Sequence, residues 1–588
     1  MQTNRPELRL AATPWPALEV KPDQSQSAAL ALVERGESVS VFGFPGTGKT
    51  LVAELAAAAA LRAGLDGRRL AVLAADRHLA ASLSARIVRR VGAAVTGRPA
   101  VTATSFAMTV LEARAQAVAA TGLDDAVAAS RAYQPQMVTG AEQARALAAL
   151  AEAEADGDWS APWPATVPAP TRRLGAFRDE LRNLLTRAAE RGLDAVGLAR
   201  LGDEHGRPDW VAAAHFYQRY LDTLDLRDTA DAGLKLDAAA MVAAAHLCLR
   251  DWCEPFELRG QTVRLEAAAR PRWDLVIVDD YQEASLALHR LVGQLARAGS
   301  QVVCLGCPDT AAQSFRGALP GQLALTAAVP PDGWDAYEAV LGNCWRQSGR
   351  LLDQSIRVVG RLRPSGRLIA ALRPPAPAGA SPGRVRAAAV GSQAEAAAVI
   401  ARRLRQAHAA EGLAFADMAV VARTAGQAAL LRCLLTGAGV PVRVPGSEVL
   451  AGDHPAVAPL LTLLRCAARG GSPDPSSAAE LVVSSVGGMD AADLRRLRRA
   501  LAGAGRLNGV SLAPDQLLAG LLAGEGVGFA VPGGPAEGDR AASADWLMGA
   551  VPEGLRPAVG RLREALAAGR AAARRPGAGA ADVLWAIW

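Results

Sequence analysis

Lysine is nearly missing from this chain. Lys21, Lys49 and Lys235 are the only three among 64 basic residues, and the other 61 are arginine. Aromatic residues make up 4% of the 588 positions, and cysteine occurs seven times. Seven cysteines spread over this length do not make a disulfide framework, which points to the cytoplasm. No uncharged run reaches the roughly 18 residues a membrane-spanning helix needs, so no membrane partner is expected. The first residues lack the charged-then-apolar pattern of a secretion signal. Cys304 and Cys307 form the one C-x-x-C, but no second pair lies nearby and Cys304 belongs to the apolar run Val302 to Leu305. They read as core and turn residues rather than metal ligands. A net charge of +6 permits nucleic-acid binding without identifying it.

What is present is a phosphate-loop signature around one of the rare lysines. Gly43-Phe44-Pro45-Gly46-Thr47-Gly48-Lys49-Thr50 satisfies G-x-x-x-x-G-K-[ST] at every fixed position. The apolar stretch Val39 to Phe42 before it reads as a strand, and Leu51 to Leu61 after it as a helix. Strand, glycine loop and helix is the context in which backbone N–H groups curl around phosphate oxygens and a helix N-terminus adds its dipole. Lys49 is then expected to reach the β- and γ-phosphates of ATP, and the Thr50 hydroxyl to hold Mg²⁺.

Leu70 to Ala74 and Val101 to Thr104 read as further strands, with helices from Leu79 and Phe106. This alternation predicts a parallel sheet covered by helices on both faces. From about 115 to 265 the pattern turns to helices rich in Ala, Leu and Arg, broken by the Pro-rich stretch Pro162 to Pro170. Strands resume at Leu275 to Val278 and Val302 to Leu305. After a Pro-rich linker at Pro374 to Gly383, strands are expected at Arg384 to Val390, Met418 to Ala422 and Val440 to Val444. Beyond about 452 only helices and loops are expected. Arg495, Arg496, Arg498 and Arg499 make one basic helix there, readable as a duplex contact or as a solvated face.

Trp273-Asp274-Leu275-Val276-Ile277-Val278-Asp279-Asp280-Tyr281-Gln282-Glu283 is the second anchor. A strand that ends in acids puts carboxylates at the sheet edge where the phosphates lie. Asp279 is placed to hold Mg²⁺ through water, and Asp280 to orient or deprotonate the attacking water.

In this order the motifs resemble the superfamily 1 DNA helicases of the UvrD/Rep type. Asp23-Gln24 resembles that family's glutamine motif, in which Gln24 would read adenine. Thr102-Ala103-Thr104-Ser105-Phe106 resembles the segment that contacts single-stranded DNA. The run from Gly306 to Ala318, with Phe315 and Arg316, resembles the third motif. Leu341-Gly342-Asn343-Cys344-Trp345-Arg346-Gln347-Ser348 resembles L-x-x-N-Y-R-S. Asp417 to Arg423 and Gly437 to Pro441 resemble the opening of a second motor domain. The helical insertion, through Phe177 to Leu181 and Pro208 to Trp210, is most similar to motor subunits of actinobacterial AdnAB helicase–nucleases.

The resemblance implies an α/β fold with two RecA-like motor domains on parallel sheets, carrying helical insertions and with the second motor domain incomplete. The expected layout is 1–115 and 266–373 for the two parts of the first motor domain, with 116–265 as a helical insertion. Residues 384–450 would be the first half of the second motor domain, and 451–588 a truncated second insertion. The implied catalytic residues are Lys49, Asp279, Asp280 and Arg346. The cofactor-binding set is Gln24, Gly43, Phe44, Pro45, Gly46, Thr47, Gly48, Lys49, Thr50 and Trp345, with Thr50 and Asp279 on the metal. Arg77, Thr102, Thr104, Phe315 and Arg316 would face DNA. The implied activity is ATP-driven 3′-to-5′ movement on single-stranded DNA in repair or recombination, with a second helicase–nuclease subunit as a further partner.

Three positions depart from the pattern. Asp280 is one methylene shorter than the family's Glu. Thr310 stands where a Gln senses the γ-phosphate, and Gln313 where an aromatic ring sits. The fifth and sixth motifs, with a second γ-phosphate arginine, are not found. These departures leave open a different reading, a scaffold subunit that binds ATP or DNA without efficient hydrolysis. An RNA helicase of the same superfamily is a third.

Overall fold

The computed structural model describes residues 20–121, 134–172, 174–226, 234–258, 261–361, 382–443, 457–468, 473–524 and 545–588. The chain divides into two compact units, residues 1–389 and 390–588.

Short apolar runs build the centre of the first unit. Strands β1 (Val39–Phe42), β2 (Leu70–Ala74), β3 (Ala100–Thr102), β4 (Leu275–Val278), β5 (Gln301–Gly306) and β6 (Tyr337–Val340) form one sheet in the order β6-β1-β5-β4-β2-β3. Every neighbouring pair is parallel. β1, β2 and β4 are buried throughout, as strands covered on both faces must be. Alternate residues serve opposite sides. Val276 and Val278 join Phe106, Trp252, Leu291 and Val292 in one core. Leu275 and Ile277 join Ala29, Val41, Val52, Leu83 and Ile87 in the other. The covering helices on that second side are α1 (Gln24–Glu34), α2 (Lys49–Arg62) and α3 (Arg77–Val91). Helix α4 (Ala103–Ala119) lies on the first side and begins three residues before the expected Phe106, because Thr102 caps it by accepting a bond from Ser105 N at 3.2 Å.

Between β3 and β4 the chain forms the expected helices around a separate core of Leu147, Leu181, Leu185, Phe216, Tyr217 and Tyr220. The Pro-rich stretch caps this core: Trp163 meets Phe177 edge-on, with ring centroids 5.2 Å apart. Two short strand pairs were not expected there, Pro135–Met137 beside Leu234–Leu236 and Phe256–Leu258 beside Gln261–Val263. Helix α5 (Gly175–Glu190) belongs to this region, and α6 (Leu286–Arg297) follows β4.

The region after the Pro-rich linker corrects one expectation. The segments 384–390, at the boundary of the two units, and 418–422 carry no ladder hydrogen bonds, and among the described residues of the second unit there is no strand. The reason is that a strand needs neighbours as well as an apolar sequence. Val385, Val390 and Val421 are 50%, 41% and 92% exposed, so no second sheet layer covers them. The expected strand at 440–444 falls partly outside the described residues. The helices Gln393–Glu411 and Ala425–Gly437 share a small core of Ala401, Leu435 and Val440. Helices from Ala458 to Ile587 enclose a larger one with Leu463, Leu497, Leu517, Val559 and Leu562. The basic helix is Ala491–Leu507, in which Arg498 pairs with Asp515 through bonds of 2.6 and 2.8 Å, while Arg495 and Arg499 are exposed.

Leu291 is fully buried in the first core. Leu291→Ala is expected to cost about 3 kcal/mol, read as a lower denaturant midpoint for the transition of the first unit.

Candidate nucleotide-hydrolysis site

All six strands of the sheet point the same way, so the loops that leave their carboxyl ends share one edge. The phosphate loop leaves β1, the acids leave β4, Cys307 follows β5, and Trp345 and Arg346 follow β6. Arg77 follows β2, Thr102 ends β3, and Phe315 lies beyond β5.

The loop is held in shape by its own chain and two neighbours. Gly46 and Gly48 take φ of 93° and 89°, which side chains resist. Thr47 Oγ1 donates to Phe44 O at 2.8 Å, and Lys49 Nζ to Gly43 O at 2.8 Å. The segment after β6 braces the loop from one side: Trp345 N donates to Gly46 O at 2.9 Å, and Gln347 Nε2 to Pro45 O at 3.3 Å. Gln26 braces it from α1, donating from Nε2 to Thr47 O at 2.9 Å. Gln26 itself is fixed by a capping box with Asp23, whose carboxylate accepts Gln26 N at 2.8 Å.

Thr50 Oγ1 donates to Asp279 Oδ2 at 2.7 Å, which brings the loop and the acidic strand end together. A hydroxyl and a carboxylate meeting at one point beside a phosphate loop are the hard oxygen donors that suit Mg²⁺. Burial pushes Asp279 above the usual carboxylate range, and the charge of Asp280 adds to this. Burial pushes the Lys49 ammonium below the usual lysine range, and Cys307, Asp280 and Asp279 pull it back. The two carboxylates and the ammonium therefore share one field. Asp280 takes φ 53° and ψ 43°, an uncommon left-handed conformation for a residue other than glycine. Its Oδ1 accepts from Gln282 Nε2 at 3.1 Å.

Trp345 is 55% exposed, and its indole Nε1 donates to Asp23 Oδ2 at 2.9 Å. Burial alone would raise Asp23, but bonds from Ser25, Gln26 N, Trp345 and Asn343 outweigh it and hold the carboxyl below its usual range. The indole is thus an anchored flat surface at the mouth of the phosphate loop. Gln24 is exposed in the first turn of α1, on the same Asp23 cap. Arg346 is exposed, and its Cβ lies 2.9 Å from where a Cβ on Gly46 would sit.

The remaining residues lie along the same edge. Arg77 is exposed at the first position of α3. Thr102 spends its hydroxyl on capping α4, and Thr104 is half-buried in the first turn. Phe106, from the same motif, is core: it packs on Trp273 with centroids 4.5 Å apart. Phe315 is 59% exposed. The Arg316 side chain lies outside the described residues. Thr310 Oγ1 donates to Cys307 O at 2.9 Å, so its hydroxyl is turned onto its own loop. Cys304 and Cys307 are buried free thiols, each raised by that burial.

Sequence reasoning missed Gln26, Gln282 and Gln347. The spacing Asp23-x-x-Gln26 is a capping signature and carried a usable signal. The other two had none, because their roles depend on contacts between segments far apart in the chain.

The sequence profile of the UvrD/REP helicase N-terminal domain matches residues 23–327. No curated protein matches the chain significantly.

Gly46→Ala would force a Cβ to within 2.9 Å of Arg346 Cβ and 3.0 Å of Cys344 Sγ, in a left-handed conformation. We expect it to weaken ATP binding by on the order of tenfold or more, measured by titration with a fluorescent ATP analogue. An unchanged unfolding midpoint would separate this from loss of fold.

Proposed function

From the chain's membership of the UvrD/REP helicase family, we propose that it is an ATP-driven translocase, moving 3′-to-5′ on single-stranded DNA in repair or recombination. The family supports a DNA helicase that uses ATP, and no helix among the described residues is long and apolar enough to cross a membrane. The observation that supports ATP hydrolysis is the meeting of Lys49, Thr50–Asp279 and Asp280 beside a loop braced by Trp345, while the polarity, the single-stranded substrate and the repair role rest on the resemblance alone.

In this reading the loop N–H groups and Lys49 bind the β- and γ-phosphates. Thr50 and Asp279 would hold Mg²⁺, which would supply positive charge to offset that of the phosphates. Asp280 orients the attacking water and takes its proton. Arg346 neutralises charge building on the γ-phosphate, worth several kcal/mol of transition-state stabilisation. Trp345 stacks on adenine while Gln24 reads its edge. Phe315 offers a ring for base stacking, worth roughly 1–3 kcal/mol per base, and Arg77, Thr102, Thr104 and Arg316 complete the DNA track. Residues 1–115 and 266–373 would be the first motor domain, 116–265 and 451–588 the insertions, and 384–450 part of the second motor domain. A second helicase–nuclease subunit is the proposed partner.

The scaffold reading is favoured by one observation, the Thr310 hydroxyl bonded to its own loop. Residue 280 decides between the two. Lys49→Ala and Asp280→Asn should each lower ATP turnover by on the order of 100-fold or more, with Asp280→Glu holding or raising it. Equal turnover in wild type, Asp280→Asn and Asp280→Glu would make residue 280 a bystander and favour the scaffold. Stimulation by deoxyribo- but not ribo-oligonucleotides is expected; the reverse would point to an RNA helicase.

A further inference from the structure

The turn after β4 does more than carry Asp280. Residues 281–283 form a single tight turn, and the side chains of Gln282 and Glu283 reach the next loop along the edge. Gln282 is buried and bonds in two directions. Its Nε2 donates to Asp280 Oδ1 at 3.1 Å, and its Oε1 accepts from Cys307 N at 3.0 Å. The fit is tight, since a Cβ on Gly306 would come within 2.9 Å of Gln282 Oε1. Glu283 makes the next connection: its two oxygens accept Ala312 N at 2.8 Å and Gln313 N at 2.9 Å. The loop 307–313 therefore hangs from the turn at both ends. Immediately after it, Ser314–Arg316 forms another tight turn that presents Phe315. Arg187 Nη2 on α5 donates to Ser314 O at 3.1 Å, so the helical insertion holds the far side of the same segment.

The base of this strut is rigid. Tyr281 is fully buried, and its hydroxyl bonds to His289 Nδ1 on α6 at 2.8 Å. His289 Nε2 lies 3.1 Å from Asp332 O, so Nε2 carries the proton and Nδ1 accepts from the tyrosine. Asp280, Gln282 and Cys307 N are thus joined by direct hydrogen bonds above a buried, bonded base.

We propose that Gln282 and Glu283 are positioning residues that couple the hydrolysis site at Asp280 to the Phe315 surface. They supply the connection that Thr310 does not make. This rests on the hydrolysis reading above. When the γ-phosphate leaves, the Asp280 carboxylate is free to shift. Gln282 carries that shift to the Cys307 amide, and Glu283 holds residues 312–313 so that the loop moves as one piece with Phe315. In the other direction, a base stacked on Phe315 fixes the loop and, through Gln282, holds Asp280 toward the water.

The test is ATP turnover of the full chain with and without a single-stranded oligodeoxynucleotide, beside nucleotide affinity from a fluorescent ATP analogue. Gln282→Met keeps the volume and removes both bonds. Gln282→Glu is nearly isosteric, keeps the acceptor for Cys307 N and removes the donor to Asp280. Glu283→Gln halves the hold on residues 312–313. We expect the factor by which DNA raises turnover to fall at least fivefold in all three, with nucleotide affinity within threefold of wild type. A merely structural role would lower both turnover rates together and leave their ratio unchanged. A wild-type stimulation factor in Gln282→Glu and Glu283→Gln overturns the proposal, even if Gln282→Met fails to fold. A wild-type chain that binds ATP and does not hydrolyse it would overturn the hydrolysis reading instead, so the two failures are distinct.

Discussion

The bond between Thr50 Oγ1 and Asp279 Oδ2 joins residues 229 apart in sequence. It exists only because β1 and β4 end at the same edge of a sheet whose strands all run one way. Parallel strands need crossovers, and here they are α2, α3 and α6, with α4 and the whole helical insertion between β3 and β4. The chain can therefore carry a long insertion without moving Asp279 relative to Thr50. The insertion enters after β3 at the sheet's end and leaves into β4, so the phosphate loop stays beside the acids.

Burial then sets the chemistry. Lys49, Asp279 and Asp280 would cost several kcal/mol each if isolated from water and unpaired. They are tolerated as a group because each lies in the field of the others: burial lowers Lys49 while the carboxylates oppose that shift. Such a cluster is complementary to a metal–triphosphate, which brings charge of both signs into the same space. The glutamines serve as neutral links. Gln26, Gln282 and Gln347 each span two segments with one side chain, and none adds charge to the field.

Much of the first unit was legible in the sequence. The phosphate loop, β1, β2, β4 and β5 and the acidic turn are local patterns, and each formed where its residues predicted. β6 was not legible: Tyr337-Glu338-Ala339-Val340 is short and half exposed, and it becomes a strand only by pairing with β1. The strands expected at 384–390 and 418–422 failed for the matching reason, since Val385 and Val421 are exposed and have no strand beside them among the described residues. The site's charged residues could be named from motifs. Its bracing could not, because a hydrogen bond such as Gln282 to Cys307 N depends on where two loops meet.

The most direct test of the account is calorimetric titration of ATP into the intact chain, with Mg²⁺ and again with EDTA. Lys49 and the loop amides supply phosphate binding, and Thr50 with Asp279 supplies the metal's oxygen donors. One site per chain is therefore predicted, with affinity reduced when the metal is withdrawn and lost in Lys49→Ala. No binding, or binding indifferent to both the metal and Lys49, would contradict it.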